Sequence, residues 1–285
     1  MIDLDGTLLT DDKKITDFSN QILQKLYDNG IKIIIATGRG LSRAKQLTEK
    51  LDFDKIILAN NGAIIHSSSS IATDEDLKLE SKVVDELSAL SKEYGIRPYF
   101  FVENKCALLI QDEDDKKLFV DSVRDVGEIM TVSERDLPID DCVSMIMIAR
   151  KDRIYDIVDH IKDNPNVTYH IHTKYFSENI RMLEVQNVNT DKYKRAIHVL
   201  EHFGIKSDEV VAIGDAHNDL EMVVNSGLGV AMKNSDDILK QNADIITQYT
   251  NEEDGLAKFL EELFELRDYE SVSYTHLTLP TIYSV

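Results

Sequence analysis

Cysteine, proline and positive charge are all scarce in this chain. Its two cysteines, Cys106 and Cys142, match neither a metal-ligand spacing nor a secreted disulfide framework, so a small stapled scaffold and a zinc module are both excluded. The two read instead as half-buried thiols in a reducing cytosol. With only 4 Pro and 12 Gly among 285 residues, repetitive and low-complexity classes drop out as well, and Ser67–Ser70 is the only biased patch. Lys and Arg number 32 against 52 Asp and Glu, a formal net charge of -20. A polyanion repels nucleic acid and anionic membrane surfaces, so neither is expected as a partner. Any phosphate bound here must be met by local positive charge or by a cation. No apolar run approaches the ~20 residues of a membrane span, and no signal peptide precedes the first acidic motif, so a cytoplasmic location is expected. No protein partner is implied.

What is present is enough for a full core: 42% of residues are hydrophobic and 29% charged, at a length that allows one large domain or two ordinary ones. The N-terminal part alternates helix and strand. Thr16 can cap a helix whose apolar positions Phe18, Ile22, Leu23 and Leu26 keep helical spacing, and Gly30 is placed to end it. A continuous apolar strand, Ile31 to Ala36, follows, then a helix over Leu41 to Leu51 and a strand over Ile56 to Ala59. Strands that are apolar throughout belong in parallel sheets covered on both faces.

The same grammar returns late in the chain. It predicts a helix over Ala196 to Phe203, a strand over Glu209 to Ile213, a helix from Leu220 to Val224 and a strand over Gly229 to Met232. Ser235 is placed to cap a further helix, Ala243 to Thr247 is strand-like, and Leu256 to Leu266 is an amphipathic closing helix. Between these stretches the texture changes to amphipathic helices such as Val83 to Tyr94 and extended runs such as Arg97 to Val102, Val143 to Ala149 and Thr168 to His172. The expected fold is α/β: a doubly wound, mostly parallel Rossmann-like sheet with an inserted α+β cap domain. The expected division is core over 1–79, cap over 80–183, core again over 184–270, and a tail from 271 to 285.

Four chemistry-bearing pieces fall where strands of the sheet end, which is where open parallel sheets bind ligands. They are Asp3-Leu4-Asp5-Gly6-Thr7, then Thr37-Gly38-Arg39, then Lys192, then Gly214-Asp215-Ala216-His217-Asn218-Asp219. At average usage, the two Asp, the Gly and the Thr of the first piece should occur at those offsets with a probability of roughly 0.3% in a chain this long. A plain Asp-Gly turn with solvated carboxylates is the bland reading of the same residues.

In this order, and with Asn61-Gly62-Ala63 and Gly229-Val230-Ala231-Met232-Lys233-Asn234, the motifs resemble those of the haloacid dehalogenase superfamily of aspartate-nucleophile phosphatases, specifically the Cof-type hydrolases with a large cap. The resemblance runs from Met1 to about Leu266. It implies Mg2+-dependent hydrolysis of small phosphate monoesters, sugar phosphates or phosphorylated cofactors, through an aspartyl-phosphate. Asp3 would be the nucleophile and Asp5 the acid and base. Asp3, Asp215 and the backbone carbonyl of Asp5 would hold Mg2+, and Asp219 and Asn218 would orient the ion's water or Lys192.

Thr37 and Lys192 would bind the phosphoryl oxygens, with Gly38, Arg39, Asn61 and Asn218 beside them. The family has Lys-Gly where this chain has Lys192-Tyr193-Lys194, so Lys194 stays open as the phosphate ligand, although counting back from Gly204-Ile205 favours Lys192. Arg39 reads equally as a surface ion pair and His217 as a loop residue. His170 and His172 share a strand face without a zinc pattern, and Arg181 is a candidate cap contact. Two other activities suit the same residues: a phosphomutase-type transfer, and a non-catalytic Mg2+- and phosphate-binding phosphoacceptor. Asp5 argues against the second, because a signalling domain needs no leaving-group acid.

Both ends break the pattern. Only Met1 and Ile2 precede the first Asp, so the strand carrying it is expected to be cut short, with ladder hydrogen bonds unmade and a terminal amine near the carboxylates. From Val272, the run Val272-Ser273-Tyr274-Thr275-His276-Leu277-Thr278-Leu279-Pro280-Thr281 continues no element. It reads as a translated sequencing adapter, a non-native tail without function.

Overall fold

The computed structural model describes residues 1–67, 76–102, 105–109, 128–133, 135–172 and 178–266. Ser68–Ser70 and the tail from Val272 lie outside them. The chain divides into two compact units. The first comprises Met1–Ile33, Lys50–Phe53 and the residues from Leu200 on; the second comprises Ile34–Glu49 and Asp54–Val199.

In chain order the described elements begin with α1 (Asp17–Asp28), β1 (Ile34–Ala36), α2 (Leu41–Leu47), β2 (Ile56–Ala59), β3 (Ile64–Ser67) and α3 (Ser81–Glu93). There follow β4 (Pro98–Val102), β5 (Lys105–Leu109), β6 (Glu128–Val132), β7 (Cys142–Arg150), α4 (Lys151–Ile161), β8 (Val167–His172) and β9 (Ile180–Asn187). The last are α5 (Lys192–Phe203), β10 (Val211–Gly214), α6 (Leu220–Val224), β11 (Leu228–Ala231), α7 (Asp237–Asn242), β12 (Ile245–Ile246) and α8 (Gly255–Leu263).

In the first unit, Thr16 caps α1 as its position predicts, its hydroxyl accepting from the Ser19 amide at 3.0 Å. Gly30, at φ +84°, ends the helix. Ile22, Leu23 and Leu26 are buried on one face of α1, which packs against α8. Strands β10, β11 and β12 run parallel in that order, and β10 and β11 are almost wholly buried, as their apolar sequences require. Met1 to Asp3 lies parallel to β10. Ile2 bridges Ile213, the Asp3 amide donates to Ile213 O, the Ile213 amide to Met1 O, and the Met1 amine to Val211 O at 2.7 Å. Short as this segment is, its bonds toward β10 are made. The amine is spent on Val211, and burial pushes its pKa down to about 5.

Ser235 does not cap α7. Asp236 occupies the cap position, and the Ser235 hydroxyl donates to Gly214 O at 3.2 Å, bracing the end of β10.

In the second unit, β1 and β2 pair parallel and β3 returns antiparallel on β2. β1 starts three residues later than its apolar run predicts, because the Ile31 amide still closes α1 through Leu26 O. α2 likewise stops at Leu47, where Thr48 turns its hydroxyl onto Ala44 O. A six-stranded sheet of order β6-β5-β4-β7-β9-β8 is antiparallel except for β5 with β6. The division expected at 183/184 therefore falls inside β9.

Helices α3 and α4 contribute Val83, Val84, Leu87, Ile154, Ile157, Val158 and Ile161 to a core shared with Phe100, Met145, Met147, Leu183 and Val185. Each such side chain contributes about 1.5–3 kcal/mol by leaving water. Cys106 and Cys142 are fully buried rather than half-buried, and burial raises both thiol pKa values, Cys142 to about 12. α5 begins at Lys192, four residues before its apolar pattern, because the Asp191 carboxylate accepts from the Tyr193 and Lys194 amides, each at 2.9 Å.

Candidate functional site

In the first unit, two acidic loops meet. Asp3 stands where the first segment leaves β10, and Asp215 directly follows β10. Carboxylate oxygens of Asp3, Asp215 and Asp219 lie within 4.8 Å of one another, and all three residues are buried. Gly6 is what lets the loops approach so closely. It sits at φ +77°, and a Cβ there would stand 2.3 Å from Asp215 Oδ2, so neither its conformation nor its surroundings admit a side chain. Consecutive turns after Asp3, Leu8 N to Asp3 O and Leu9 N to Leu4 O, wrap the chain around that contact. The Asn234 amide holds Gly6 O at 2.7 Å, and the Thr7 hydroxyl donates to Asp215 Oδ1 at 3.5 Å.

Asp219 is both a member of this trio and the brace of its loop. It is fully buried, and its Oδ2 accepts from the Asp215 and Ala216 amides, each at 3.0 Å. This pins the turn after β10 and fixes the direction of the Asp215 side chain. Asp5 lies beside the trio in sequence but outside it in space; its Oδ1 pairs with Lys13 Nζ at 2.7 Å, and both side chains are about one-third exposed. Lys13 was not singled out by any motif. Asn218 is half-buried and His217 exposed on the short turn between Asp215 and Asp219.

Three buried carboxylates this close repel one another, and leaving them all ionised without a counter-charge costs several kcal/mol per ion. Their donors are all oxygen, the set preferred by a hard divalent cation such as Mg2+. The residues therefore fit such an ion, which Asp3 and Asp215 would hold, while the Asp215 and Ala216 amides bind Asp219.

In the second unit, Thr37 follows β1 and is buried. Its hydroxyl accepts from the Arg39 amide at 3.1 Å, its carbonyl accepts from the Asn61 amide at 2.9 Å, and Arg39 O accepts from Asn60 N at 2.8 Å. Asn60, Asn61 and Gly62 all take positive φ, a run that asparagine and glycine tolerate better than other residues. The Asn61 carboxamide packs against Gly38, where a Cβ would sit 3.1 Å from Asn61 Oδ1.

Lys192 is among the largest fully buried side chains, whereas Lys194 is exposed. Arg195 clamps Gly62 O from the next turn of α5 at 3.0 Å. Arg39 is half-buried, and Arg181 donates to Glu178 O and Ile180 O beside it in sequence. No motif flagged Gln186, Ser144 or Glu184, which are buried on the six-stranded sheet.

Comparisons with known proteins identify the family. A family model described as haloacid dehalogenase-like hydrolase matches residues 1–260. The 5-amino-6-(5-phospho-D-ribitylamino)uracil phosphatase YitU of Bacillus subtilis is 30% identical, over 93% of this chain and 97% of its own. The phosphatase YcsE of the same organism, which carries the same activity in its name, is 28% identical, over 90% of this chain and 92% of its own. Among solved structures, a haloacid dehalogenase-like hydrolase from Bacteroides thetaiotaomicron superposes with a TM-score of 0.78 at 26% identity, covering 92% of this chain and 97% of that one. Among the described residues no helix is long and apolar enough to cross a membrane.

Proposed function

Because this chain belongs to the haloacid dehalogenase-like hydrolases and is a phosphoric monoester hydrolase, we propose that it cleaves small phosphorylated metabolites in two steps, carrying the phosphoryl group on Asp3 with Mg2+ at the buried carboxylates. The observation that carries this reading is the trio of Asp3, Asp215 and Asp219, drawn from both ends of the sequence and buried together. Bound Mg2+ supplies the positive charge that lets an anionic carboxylate approach an anionic phosphoryl group.

Asp3 attacks phosphorus and the leaving alkoxide departs. Asp5 gives that oxygen its proton, then takes one from the water that cleaves the acyl phosphate, so one group serves both halves. Lys13, paired with Asp5, holds its carboxylate in position. Thr37, Gly38, Asn61 and Lys192 donate to the phosphoryl oxygens; the burial of Lys192 favours it over exposed Lys194, since a desolvated ammonium interacts more strongly with phosphate. Asn218 and Asp219 orient the ion's water and the loop. The six-stranded sheet with α3 and α4 serves as the cap that selects the leaving group. 5-Amino-6-(5-phospho-D-ribitylamino)uracil, the substrate named for YitU and YcsE, heads the candidates, followed by sugar phosphates.

The deciding experiment measures phosphate release from a panel of sugar, nucleotide and cofactor phosphates with and without EDTA, beside Asp3→Asn. Turnover that requires Mg2+ and Asp3 supports the reading. Conversion of a sugar phosphate to its isomer without net phosphate release would replace it with a mutase.

A further inference from the structure

Strand β9 carries two buried polar side chains two residues apart, Gln186 and Glu184, which therefore share a face. The residues between and beside them, Leu183 and Val185, enter the core under α3 and α4, so the polar pair lies on the face without helices. Gln186 ties this face to the turn that holds Thr37. Its amide nitrogen donates to Asn60 O at 2.9 Å, and its oxygen faces Asn61 Nδ2 at 3.3 Å. About 7 Å further along the strand, Glu184 Oε1 accepts from Ser144 Oγ at 3.2 Å, and Oε2 faces His172 Nε2 at 3.1 Å. The Glu184 side chain is 7% exposed, but the imidazole is 40% exposed.

A carboxylate buried on a sheet face is poorly explained by stability, since an apolar pair of similar volume usually does as well or better there. Here the carboxylate is satisfied by one hydroxyl and one imidazole. It thereby directs Nε2 inward and fixes which ring nitrogen is presented. His172 Nδ1 has no hydrogen-bond partner among the described residues. Burial alone would lower the pKa of His172, but its hydrogen bond to Glu184 and the carboxylate charge raise it above the usual value, favouring the doubly protonated ring in which the presented nitrogen is a donor.

We propose that His172, oriented by Glu184 and Ser144, is a specificity-determining donor that binds an oxygen of the leaving group, favouring extended polyol phosphates whose far oxygens lie about 7–10 Å from the phosphoryl-binding turn. This rests on the phosphatase reading above, because the turn of Thr37 and Asn61 anchors the phosphate end. His172 touches substrate; Glu184 and Ser144 are positioning residues.

The test compares the full chain with His172→Gln and Glu184→Gln on ribitol 5-phosphate and p-nitrophenyl phosphate. For His172→Gln, kcat/KM for ribitol 5-phosphate relative to p-nitrophenyl phosphate falls ten- to a hundredfold, mainly through KM. In the wild-type chain the same ratio declines as pH rises past the imidazole range; in Glu184→Gln that decline moves to lower pH. Equal losses on both substrates, or an unchanged ratio, would overturn the proposal. Calorimetric binding of ribitol 5-phosphate to Asp3→Asn, with and without His172→Gln, reads the contact without turnover. If the wild-type chain releases no phosphate at all, the phosphatase reading fails, while equal affinities in this pair defeat the His172 assignment by itself.

Discussion

The two units each bury carboxylates and neutralise them by different means. On the six-stranded sheet, Glu184 has its counter-charge built in: His172, with His170 nearby, and the Ser144 hydroxyl offset the cost of burial and hold its pKa below the usual value. At the ends of the first segment and of β10, Asp3, Asp215 and Asp219 bring three acids together, with backbone amides and the Thr7 hydroxyl among their hydrogen-bond donors. A buried acid that carries its own partner is a structural or recognition device. A buried cluster of carboxylate oxygens is the donor set suited to a hard divalent cation.

The comparison breaks most sharply at Asp3. Asp3→Asn is expected to lower kcat by at least ~10³-fold, because no other group can take the phosphoryl. Circular dichroism should remain unchanged. If activity survives the substitution, the acid cluster is not the nucleophile's home.

Next in size is the response to metal. Mg2+ at about 100 times its Kd should stabilise the chain by about 2.7 kcal/mol, read as a rise in Tm that disappears with EDTA. Asp215→Asn should abolish this rise and His172→Gln should leave it intact, separating the two acidic sites in one experiment.

Gly6→Ala should cost about 1–3 kcal/mol through its left-handed backbone, and should weaken Mg2+ binding as Asp215 is pushed aside. A Tm equal to that of the parent chain would show that the loop has room that the 2.3 Å approach denies.

The smallest effect concerns pH. The raised pKa of His172 means that its contribution to stability is full below about pH 6.5 and is lost as pH rises through its folded value. The lowered pKa of Glu184 means that its contribution is full above about pH 4.5 and is lost as pH falls through its folded value. The pair therefore contributes most between about pH 4.5 and 6.5, and discounting for the exposed half of the imidazole leaves about 1 kcal/mol. Thermal melts of the wild-type chain and His172→Gln across this range should differ most inside that window. A constant difference would show that the loss is one of packing.

The same contrast decides how much could be read from residues alone. The acid cluster was legible because Asp3, Asp5, Gly6 and Thr7 on one side, and Asp215, Asn218 and Asp219 on the other, stand at fixed offsets after apolar strands. Many element positions were legible too, since periodicity marks α3, β4, β7 and β8 to within a residue or two, whereas α4 was not singled out. The deeper role of Asp219 was not, because its partners are backbone amides that have no letter in a sequence. Lys13 was hidden for another reason: it reaches Asp5 across a turn through its own left-handed conformation, at φ 60°. Glu184 and Gln186 sit in a run that reads as an ordinary alternating strand, and only the register of β9 against β7 and β8 reveals that their polar side chains are buried rather than solvated. That Lys192 is buried and Lys194 exposed could not be read until the start of α5 was fixed by Asp191.

The pairing of Met1–Asp3 with Val211–Ile213 also bears on how the protein is made. The Met1 amine meets a carbonyl 210 residues later, so the segment that carries Asp3 is synthesised well before β10 and makes its hydrogen bonds to that strand only after it has emerged. At ~5–20 residues per second that is a wait of roughly 10–40 s, during which Ile2 has no β10 backbone to pair with. The buried acid trio would then assemble in one late step, when β10 and the loop that carries Asp215 and Asp219 emerge.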